Sequence, residues 1–324
     1  MLTLTWGDAI LAGTNTGKEL PMIRSHNRRL LSYRLLAVPL LVLCLGSSAC
    51  RARAADGGSA KRSGEVTIQN KGSDTMVNLA LAWSEAYAQV EPGVRVAVTG
   101  GGSGTGIAAL INGTVDIANA SRSMSAEEKA AAIAAGFEAV EVPVALDAIA
   151  VVVHPSNPVT KLTVEQLADI FTGRVTNWQE VGGEDRPIVL VSRESNSGTY
   201  QYFLEHVVRR GSKENKDLFS PDALLMPSSE GISSEVRRNP NAIGYDGLGY
   251  VTPDQKVIWV APEAGAPYIA PTLESVKDGT YPIARPLFMV TRGRLVGPAA
   301  AYLAWIQGSQ GQAIVRELGF VPLE

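Results

Sequence analysis

The chain has 324 residues, of which 45% are hydrophobic and 19% are charged. That length and composition accommodate two globular domains of ordinary size with sizeable cores. The formal net charge at pH 7 is −3 and the chain has no basic stripe, which argues against nucleic acid as a partner. An anionic ligand would have to be recognised by local groups rather than by the field of the whole protein.

Segment 1–50 has the pattern of a secretory signal. Basic residues precede an apolar run at 35–45, and this run is shorter than the roughly 20 residues of a membrane span. We expect translation to start at Met22, because the residues before it do not resemble a signal. Cys50 follows Ser-Ser-Ala and predicts lipidation, with cleavage after 52–54 as the competing interpretation.

Residues 51–64 are small, polar and basic without an apolar period, so they predict a flexible tether. The two cysteines of the chain, Cys44 and Cys50, both precede this tether. The mature domain would therefore contain no disulfide and no thiolate nucleophile, and it must stay folded outside the cytoplasm by packing alone.

Strands and helices alternate from about residue 65. In the first part of the domain, strands are predicted at 66–69, 94–99 and 115–120 and helices at 76–90 and 107–111. Short glycine-rich junctions connect them, which predicts a parallel sheet with helices on its faces. In such a sheet the carboxyl ends of the strands form the natural edge for a ligand.

The remainder of the chain continues this alternation. Its predicted elements are a helix at 126–135, an apolar stretch at 140–153, a helix at 164–171, a strand at 187–192, a helix from Thr199, a strand at 242–251, two strands at 257–260 and 286–291, and a terminal helix at 298–318. We find no internal repeat.

Three strand-to-helix junctions share serine, threonine and glycine: GSDT at 72–75, GGGSGTG at 100–106 and SRESNSGT at 192–199. A helix N-terminus leaves about four backbone N–H groups without intrahelical partners, and glycine lets a ligand approach them. In the third junction, Arg193 adds a planar guanidinium that matches two oxygens of a tetrahedral oxyanion. Taken alone, each junction could be an ordinary helix cap, but three together predict an anion site.

Asp116 is the informative acidic residue, because it lies in the predicted strand VDIANA near the proposed ligand edge. A carboxylate beside an anion makes sense if the ligand carries a proton, which the carboxylate accepts. A fully deprotonated oxyanion such as sulfate would leave the carboxylate unpaired and repelled. The alternative is that Asp116 caps a neighbouring amide or pairs with Arg122.

Catalytic and cofactor motifs fit this sequence poorly. GGGSGTG lacks the Gly-Lys-Ser/Thr ending of a nucleotide-phosphate loop and the glycine spacing of a dinucleotide fingerprint. Thr105 also stands where a G-x-S-x-G nucleophile elbow has its last glycine. His154 and His206 are isolated and are interpreted as structural, so no metal, cofactor or catalytic set is predicted.

In chain order, the motifs GSDT, GGSGTG, VDIANASR, SRxxNSGTYxxF and AIGYxGxGY resemble those of the phosphate-binding proteins that feed phosphate ABC transporters. The resemblance covers essentially the whole mature chain, and the ordered combination is specific although each motif alone is weak. It implies a two-lobed α/β fold of the type II periplasmic-binding-protein class. Each lobe would be a mostly parallel sheet with flanking helices, and the ligand would lie in the cleft between the lobes.

The resemblance implies a phosphate shell of Ser73, Thr75, Ser103, Asp116, Arg193, Ser197, Gly198 and Thr199, with Asp74 and Ser121 as further candidates. The sequence departs from the family pattern at Met76, where many relatives have phenylalanine, and at Ser195, where they have an acidic residue. Arg193 therefore lacks its usual neighbouring partner. Asp74 is the candidate replacement, because it should face the same cleft.

These observations predict an exported, monomeric solute-binding protein of the periplasm or cell envelope that passes inorganic phosphate to an ABC-transporter permease. The first lobe is expected at 65–145 plus 252–324 and the second at 146–251. The alternatives are another tetraoxyanion ligand such as sulfate, molybdate or tungstate, or a sensory role. A phosphate-ester hydrolase is disfavoured, because no nucleophile with a base or metal is visible.

Overall fold

The structure is a computed structural model, and it describes residues 66–323. The expectations for the signal segment, the Met22 start, the tether and Cys50 fall outside the described residues. The strands are β1 Val66–Gly72, β2 Val94–Thr99, β3 Ile117–Ala120, β4 Ala139–Val153, β5 Lys161–Thr163, β6 Val189–Arg193, β7 Leu224–Met226, β8 Ala242–Gly247, β9 Lys256–Ala261 and β10 Ala284–Arg292.

The α-helices are α1 Val77–Val90, α2 Ser103–Ile111, α3 Ala126–Ala134, α4 Val164–Phe171, α5 Gly198–Phe203, α6 Ser229–Arg238, α7 Leu273–Lys277, α8 Gly297–Gln307 and α9 Ser309–Glu317. Single 3-10 turns occur at Asp74–Met76, Trp178–Val181 and Leu248–Tyr250, and a π-helical turn at Leu204–Val208 extends α5.

Local sequence explains where the helices begin. Ser125 and Glu128 form a reciprocal capping box at the start of α3, and Thr163 and Gln166 form the same arrangement at α4. Each pair satisfies two backbone N–H groups that the first helical turn leaves without partners.

The strands follow one hydrogen-bonded path, in the order β2-β1-β3-β10-β4-β8-β6-β7; β9 joins this path through β4, and β5 pairs with β9. The groups β2-β1-β3 and β8-β6-β7 are parallel, whereas β10 and β4 run antiparallel to their neighbours. β4 pairs with β10 up to Ala148 and with β8 from Ile149 onward. This long strand therefore connects the two parallel groups.

The two largest hydrophobic clusters among residues 66–323 lie on either side of that connection. Residues such as Trp83, Leu287 and Tyr302 form the first core, and residues such as Phe171 and Tyr245 form the second. We refer to the parts of the chain that pack around these cores as the first lobe and the second lobe.

The chain returns to the first lobe later than the boundary at residue 252 that the sequence analysis expected. β9 pairs with the second half of β4, and Ile258 and Val260 lie in the second core. Tyr281 and Ile283 are buried there as well, whereas Leu287 on β10 lies in the first core. Strand pairing and burial therefore assign β9 to the second lobe.

No helix within residues 66–323 combines the length and the apolar character needed to cross a bilayer.

Candidate functional site

The predicted junctions meet at the carboxyl ends of the strands. The first lobe contributes Ser73 and Thr75 after β1, Ser103 at the first turn of α2 and Ser121 after β3. The second lobe contributes Arg193 at the end of β6 and segment 197–199 at the start of α5. All of these side chains are buried, and Gly198 is buried with them. The expected ligand edge and the expected junctions therefore coincide.

Two threonines join the lobes directly. Thr75 Oγ1 and Thr199 Oγ1 lie 2.8 Å apart in a hydrogen bond, although the residues are 124 positions apart in the chain. Thr75 is 1% exposed and Thr199 is fully buried, so this contact is shielded from water.

Gly198 lies against two serine hydroxyls of the first lobe. Ser103 Oγ accepts a hydrogen bond from Ser121 N at 3.0 Å and lies 3.3 Å from Ser121 Oγ. A Cβ atom on Gly198 would be 2.3 Å from Ser103 Oγ and 2.6 Å from Ser121 Oγ. Only glycine allows this approach, which sets the Gly198 backbone beside two hydroxyl groups.

Ser197 acts as the N-cap of α5. Its Oγ accepts hydrogen bonds from Thr199 N at 3.2 Å and Tyr200 N at 3.4 Å, so the hydroxyl proton remains available to a ligand. Ser73 differs from it, because its Oγ is buried without a hydrogen-bond partner among residues 66–323. A buried hydroxyl without a partner is costly, and a ligand in this cleft would satisfy it.

Arg193 is buried between the lobes, and Asp74 is its acidic partner. Arg193 Nη2 lies 3.2 Å from Asp74 Oδ2, which confirms the expected replacement. The guanidinium also donates to Met226 O, Pro227 O and Ser229 Oγ at 2.9–3.3 Å. Four of its five N–H groups thus have protein partners, so Arg193 can contribute at most one N–H bond to a ligand without rearrangement.

Asp246 lies behind this arginine. Its Oδ1 accepts from Ser229 Oγ and from Gly247 N, both at 2.8 Å, while Oδ2 is buried without a partner in the described part of the chain. Burial raises the pKa of Asp246 to about 6, and the positive charge of Arg193 offsets that effect only partly. Arg193 is thus flanked by Asp74 directly and by Asp246 through Ser229.

Asp116 does not lie at this site, and the prediction that it binds the ligand is wrong. The residue is exposed and precedes β3, whereas the cleft lies beyond the other end of that strand at Ser121. Five residues of extended chain separate the two positions by about 16 Å. The alternative interpretation is confirmed, because Asp116 Oδ2 accepts from Gln69 N at 2.7 Å. Arg122 pairs with Glu128 instead, at 2.7 Å.

Known proteins share both this sequence pattern and this architecture. The model of the PBP superfamily domain matches residues 56–309. The phosphate-binding protein PstS of Pseudomonas aeruginosa is 32% identical over 273 residues, covering 79% of this chain and 83% of that protein. The chain belongs to the phosphate-binding protein family of the PBP superfamily. The expected family and α/β fold are therefore confirmed.

Further members of this family agree in length and structure. PstS of Bacillus subtilis is 32% identical and covers 82% of this chain and 83% of its own length. A crystal structure from Clostridium perfringens is described as a putative phosphate ABC transporter substrate-binding protein with bound phosphate. It is 32% identical, has a TM-score of 0.71, and covers 80% of this chain and all of its own. An ABC-type phosphate transport receptor from Vibrio cholerae has a TM-score of 0.64 at 30% identity, with coverage of 78% and 99%.

Sequence reasoning missed three residues at the site of this family member. Asn196 contacts the glycine-rich segment 100–106. Its backbone carbonyl accepts from Gly104 N at 3.1 Å, and its side-chain Nδ2 donates to Gly101 O at 3.1 Å. Asp147 and Arg285 form a fully buried ion pair next to Thr199. An acidic residue within the apolar run of β4 was the available signal for Asp147.

The side chains of this site suit hydrogen bonding to an anion. Hydroxyl groups from both lobes and the backbone at Gly198 supply donors, and the cationic groups nearest to them are already paired. Among residues 66–323, His, Cys, Asp and Glu form no group of three able to coordinate a metal.

Proposed function

We propose that this chain is an exported solute-binding protein that captures inorganic phosphate between its lobes and delivers it to the permease of an ABC transporter. The proposal rests on the family membership and on one observation about the cleft. Hydroxyl groups from opposite lobes meet there, with Thr75 against Thr199 and Ser103 and Ser121 against Gly198. Relatives with this architecture are named as phosphate-binding proteins.

The donor set fits a small tetrahedral anion. Ser73, Thr75, Ser103, Ser121 and segment 197–199 surround the cleft with hydroxyl and amide groups that can donate to oxygen. Closure removes water from these bonds, and hydrogen bonds strengthen in the resulting environment of lower dielectric constant. Several neutral donors can therefore hold an anion that has little net positive charge around it.

Because Asp116 does not lie at the site, another residue must accept the hydrogen bond that the P–OH group of hydrogen phosphate donates. We assign that role to Asp74, which lies between the proposed ligands Ser73 and Thr75. Its Oδ2 accepts from Arg193 and from Ser229 N, while Oδ1 accepts no hydrogen bond from residues 66–323. A carboxylate with a free oxygen favours a ligand carrying a proton over sulfate, molybdate or tungstate.

Isothermal titration of the exported chain with phosphate and with sulfate tests this function. We expect tight phosphate binding and sulfate binding weaker by at least about 100-fold, since an unpaired acceptor facing a deprotonated oxyanion costs about 1–3 kcal/mol or more when charged. Equal or tighter binding of sulfate, molybdate or tungstate would overturn the assignment. In Asp74→Asn, phosphate binding should weaken and the preference over sulfate should fall.

Transport rather than catalysis or sensing is part of the proposal. The chain should not turn over a chromogenic phosphate ester, because we assign no nucleophile with a base or metal to the cleft. Deleting it should abolish high-affinity phosphate uptake by cells that retain the permease. Normal uptake together with a lost phosphate-starvation response would instead identify a sensor.

We also propose that the mature chain is a monomer in the periplasm or cell envelope, attached through a lipid at Cys50. The Cys50→Ala chain should move from the membrane fraction to the soluble fraction, and the mature native chain should carry a lipid mass at its N-terminus. An unmodified N-terminus beginning near residue 55 would favour simple cleavage.

A further inference from the structure

A buried ion pair adjoins the two threonines that join the lobes. Asp147 on β4 and Arg285 on β10 face each other in the antiparallel pairing, and both side chains are 0% exposed. Arg285 Nε and Nη2 donate to Asp147 Oδ2 at 3.1 and 2.9 Å. The other oxygen, Asp147 Oδ1, accepts from Leu248 N at 3.0 Å. The carboxylate is therefore held from two sides and fixes the guanidinium.

This pair lies where the two lobes connect. β4 exchanges its partner β10 for β8 between Ala148 and Ile149, immediately after Asp147. Arg285 is likewise near the start of β10, the strand that returns the chain to the first core. The pair is thus anchored in the connecting strands rather than in either lobe's loops.

The guanidinium also contacts the site itself. Arg285 Nη2 donates to Thr199 Oγ1 at 3.0 Å. Because a guanidinium has donors only, Thr199 Oγ1 must be the acceptor in this bond. Its single proton is then directed to other partners, which are Thr75 Oγ1 at 2.8 Å or an oxygen of a bound anion. Hydrogen bonds in a chain polarise one another, so a hydroxyl that accepts from a cation becomes a better donor.

Stability alone does not account for the pair. Removing two charges from water is expensive, and apolar residues of similar volume are often neutral or stabilising at such positions. A glycine beside the Asp147 carboxylate nevertheless leaves space for the ion pair. At Gly247, a Cβ atom would lie 3.1 Å from both Asp147 carboxylate oxygens and 2.8 Å from Thr75 Cγ2. Gly247 thus leaves room for the carboxylate and the ligand-facing threonine together.

We infer that Arg285, held by Asp147, is a positioning residue for phosphate binding, and that it fixes the Thr199 hydroxyl as a donor to the ligand. The inference rests on the proposed function. A second cation thereby serves the site: Arg193 is engaged by Asp74 and by loops of the second lobe, whereas Nη2 of Arg285 acts through the Thr199 hydroxyl.

The test replaces both charges together. Arg285→Met alone would leave the Asp147 carboxylate buried and unpaired, and that chain could fail to fold for this reason only. Asp147→Asn with Arg285→Met removes both charges, keeps the side-chain volumes similar and retains an acceptor for Leu248 N. We expect this double variant to melt close to the native temperature and to bind phosphate at least about tenfold more weakly, the size of one strong hydrogen bond.

A second pair of titrations separates positioning from a general structural effect. In a Thr199→Val background, adding the same two substitutions should change the phosphate dissociation constant by less than about twofold, because the hydroxyl they act through is gone. Thr291→Val is a matched control, since Thr291 is buried near the far end of β10 and its hydroxyl donates to Gly293 O just after the strand. It should lower stability without changing phosphate affinity.

The outcomes are distinct. A double variant that binds phosphate within twofold of the native chain overturns the inference. So does an equal loss of affinity with and without the Thr199 hydroxyl, because the pair would then act by another route. If the native chain itself gives no phosphate-binding signal, the proposed function fails first, and the native titration reports this separately.

Discussion

Gly198 offers the sharpest test of the closed cleft, because one methyl group there should oppose closure without opposing folding. In Gly198→Ala, the new Cβ would lie 2.3 Å from Ser103 Oγ and 2.6 Å from Ser121 Oγ, against a practical minimum of 3.0 Å. Relieving that overlap should cost about 1–3 kcal/mol, as overpacking generally does. The cost falls on the closed, liganded form, so phosphate affinity should drop about 5- to 150-fold at 1.4 kcal/mol per tenfold.

By contrast, the same substitution should not destabilise the open, unliganded chain. Gly198 is the first residue of α5 and does not have a positive φ, so alanine fits the local backbone and reduces the entropy of the unfolded chain. We therefore expect an unchanged or slightly higher melting temperature without phosphate and a smaller increase on adding it. Calorimetry and titration would measure both quantities.

Gly93→Ala is the matched control, because a Cβ there meets nothing closer than Glu91 Oε1 at 3.8 Å and its φ is not positive. It should leave phosphate affinity unchanged. If Gly198→Ala binds phosphate as tightly as the native chain, the serines do not close on Gly198 in the liganded form, and the reasoning is refuted.

Three further outcomes concern charged residues inside and outside the site. Asp116→Ala should leave phosphate affinity within about twofold of native, because the residue lies about 16 Å from Ser121 along extended chain; a tenfold loss in titration would return it to the site. Arg193→Met should weaken phosphate binding at least about 30-fold, since it removes the positive charge and the remaining N–H donor of Arg193 from the site; undiminished binding would contradict this. Asp246 should make the free energy of unfolding fall as pH rises from about 4 to 6, because the unfolded chain releases this proton at lower pH than the folded chain. Denaturation of the native chain should show a loss of about 3 kcal/mol over this range relative to Asp246→Asn. A difference between the two chains that does not change with pH would contradict the raised pKa.

The three junctions could be predicted from sequence because each is local. Serine, threonine and glycine between an apolar strand and a helical period specify a strand end and a helix start within about ten residues. The parallel arrangement then brings such ends to one edge. That reasoning located Thr75, Ser103 and Gly198, and it also placed Asp74 close enough to become the partner of Arg193.

Asp116 was misplaced although the same logic could have located it correctly. The predicted strand began at residue 115, so its second residue belongs to the amino end and not to the ligand edge. Apolar neighbours suggested burial, but Asp116 precedes the buried part of β3 and caps the backbone of β1. The direction of the strand therefore locates Asp116 better than the hydrophobicity of its neighbours does.

The pair of Asp147 and Arg285 lay beyond local reasoning for a different reason. The residues are 138 positions apart, and they meet only because β10 returns antiparallel to β4 in one particular register. A shift of one residue would turn every side chain of β10 to the other face of the sheet. Register of this kind depends on tertiary pairing, as does the assignment of β9 to the second lobe.

The same hydroxyl groups in this cleft hydrogen-bond between the lobes and can hydrogen-bond to the ligand. The hydrogen bond between Thr75 and Thr199 across the lobes uses one of their two hydroxyl protons, so an anion that accepts from the donor of this pair must exchange that bond rather than simply add one. The accepting hydroxyl keeps its own proton for the ligand. The net gain from each exchanged bond is therefore modest, so affinity depends on donors whose direction is fixed before the ligand arrives. Arg285 fixes Thr199 in that way, and Ser73, whose hydroxyl has no partner within residues 66–323, gains a full bond. Selection among anions then rests on acceptors such as Asp74, because the paired cations treat every oxyanion of the same charge alike.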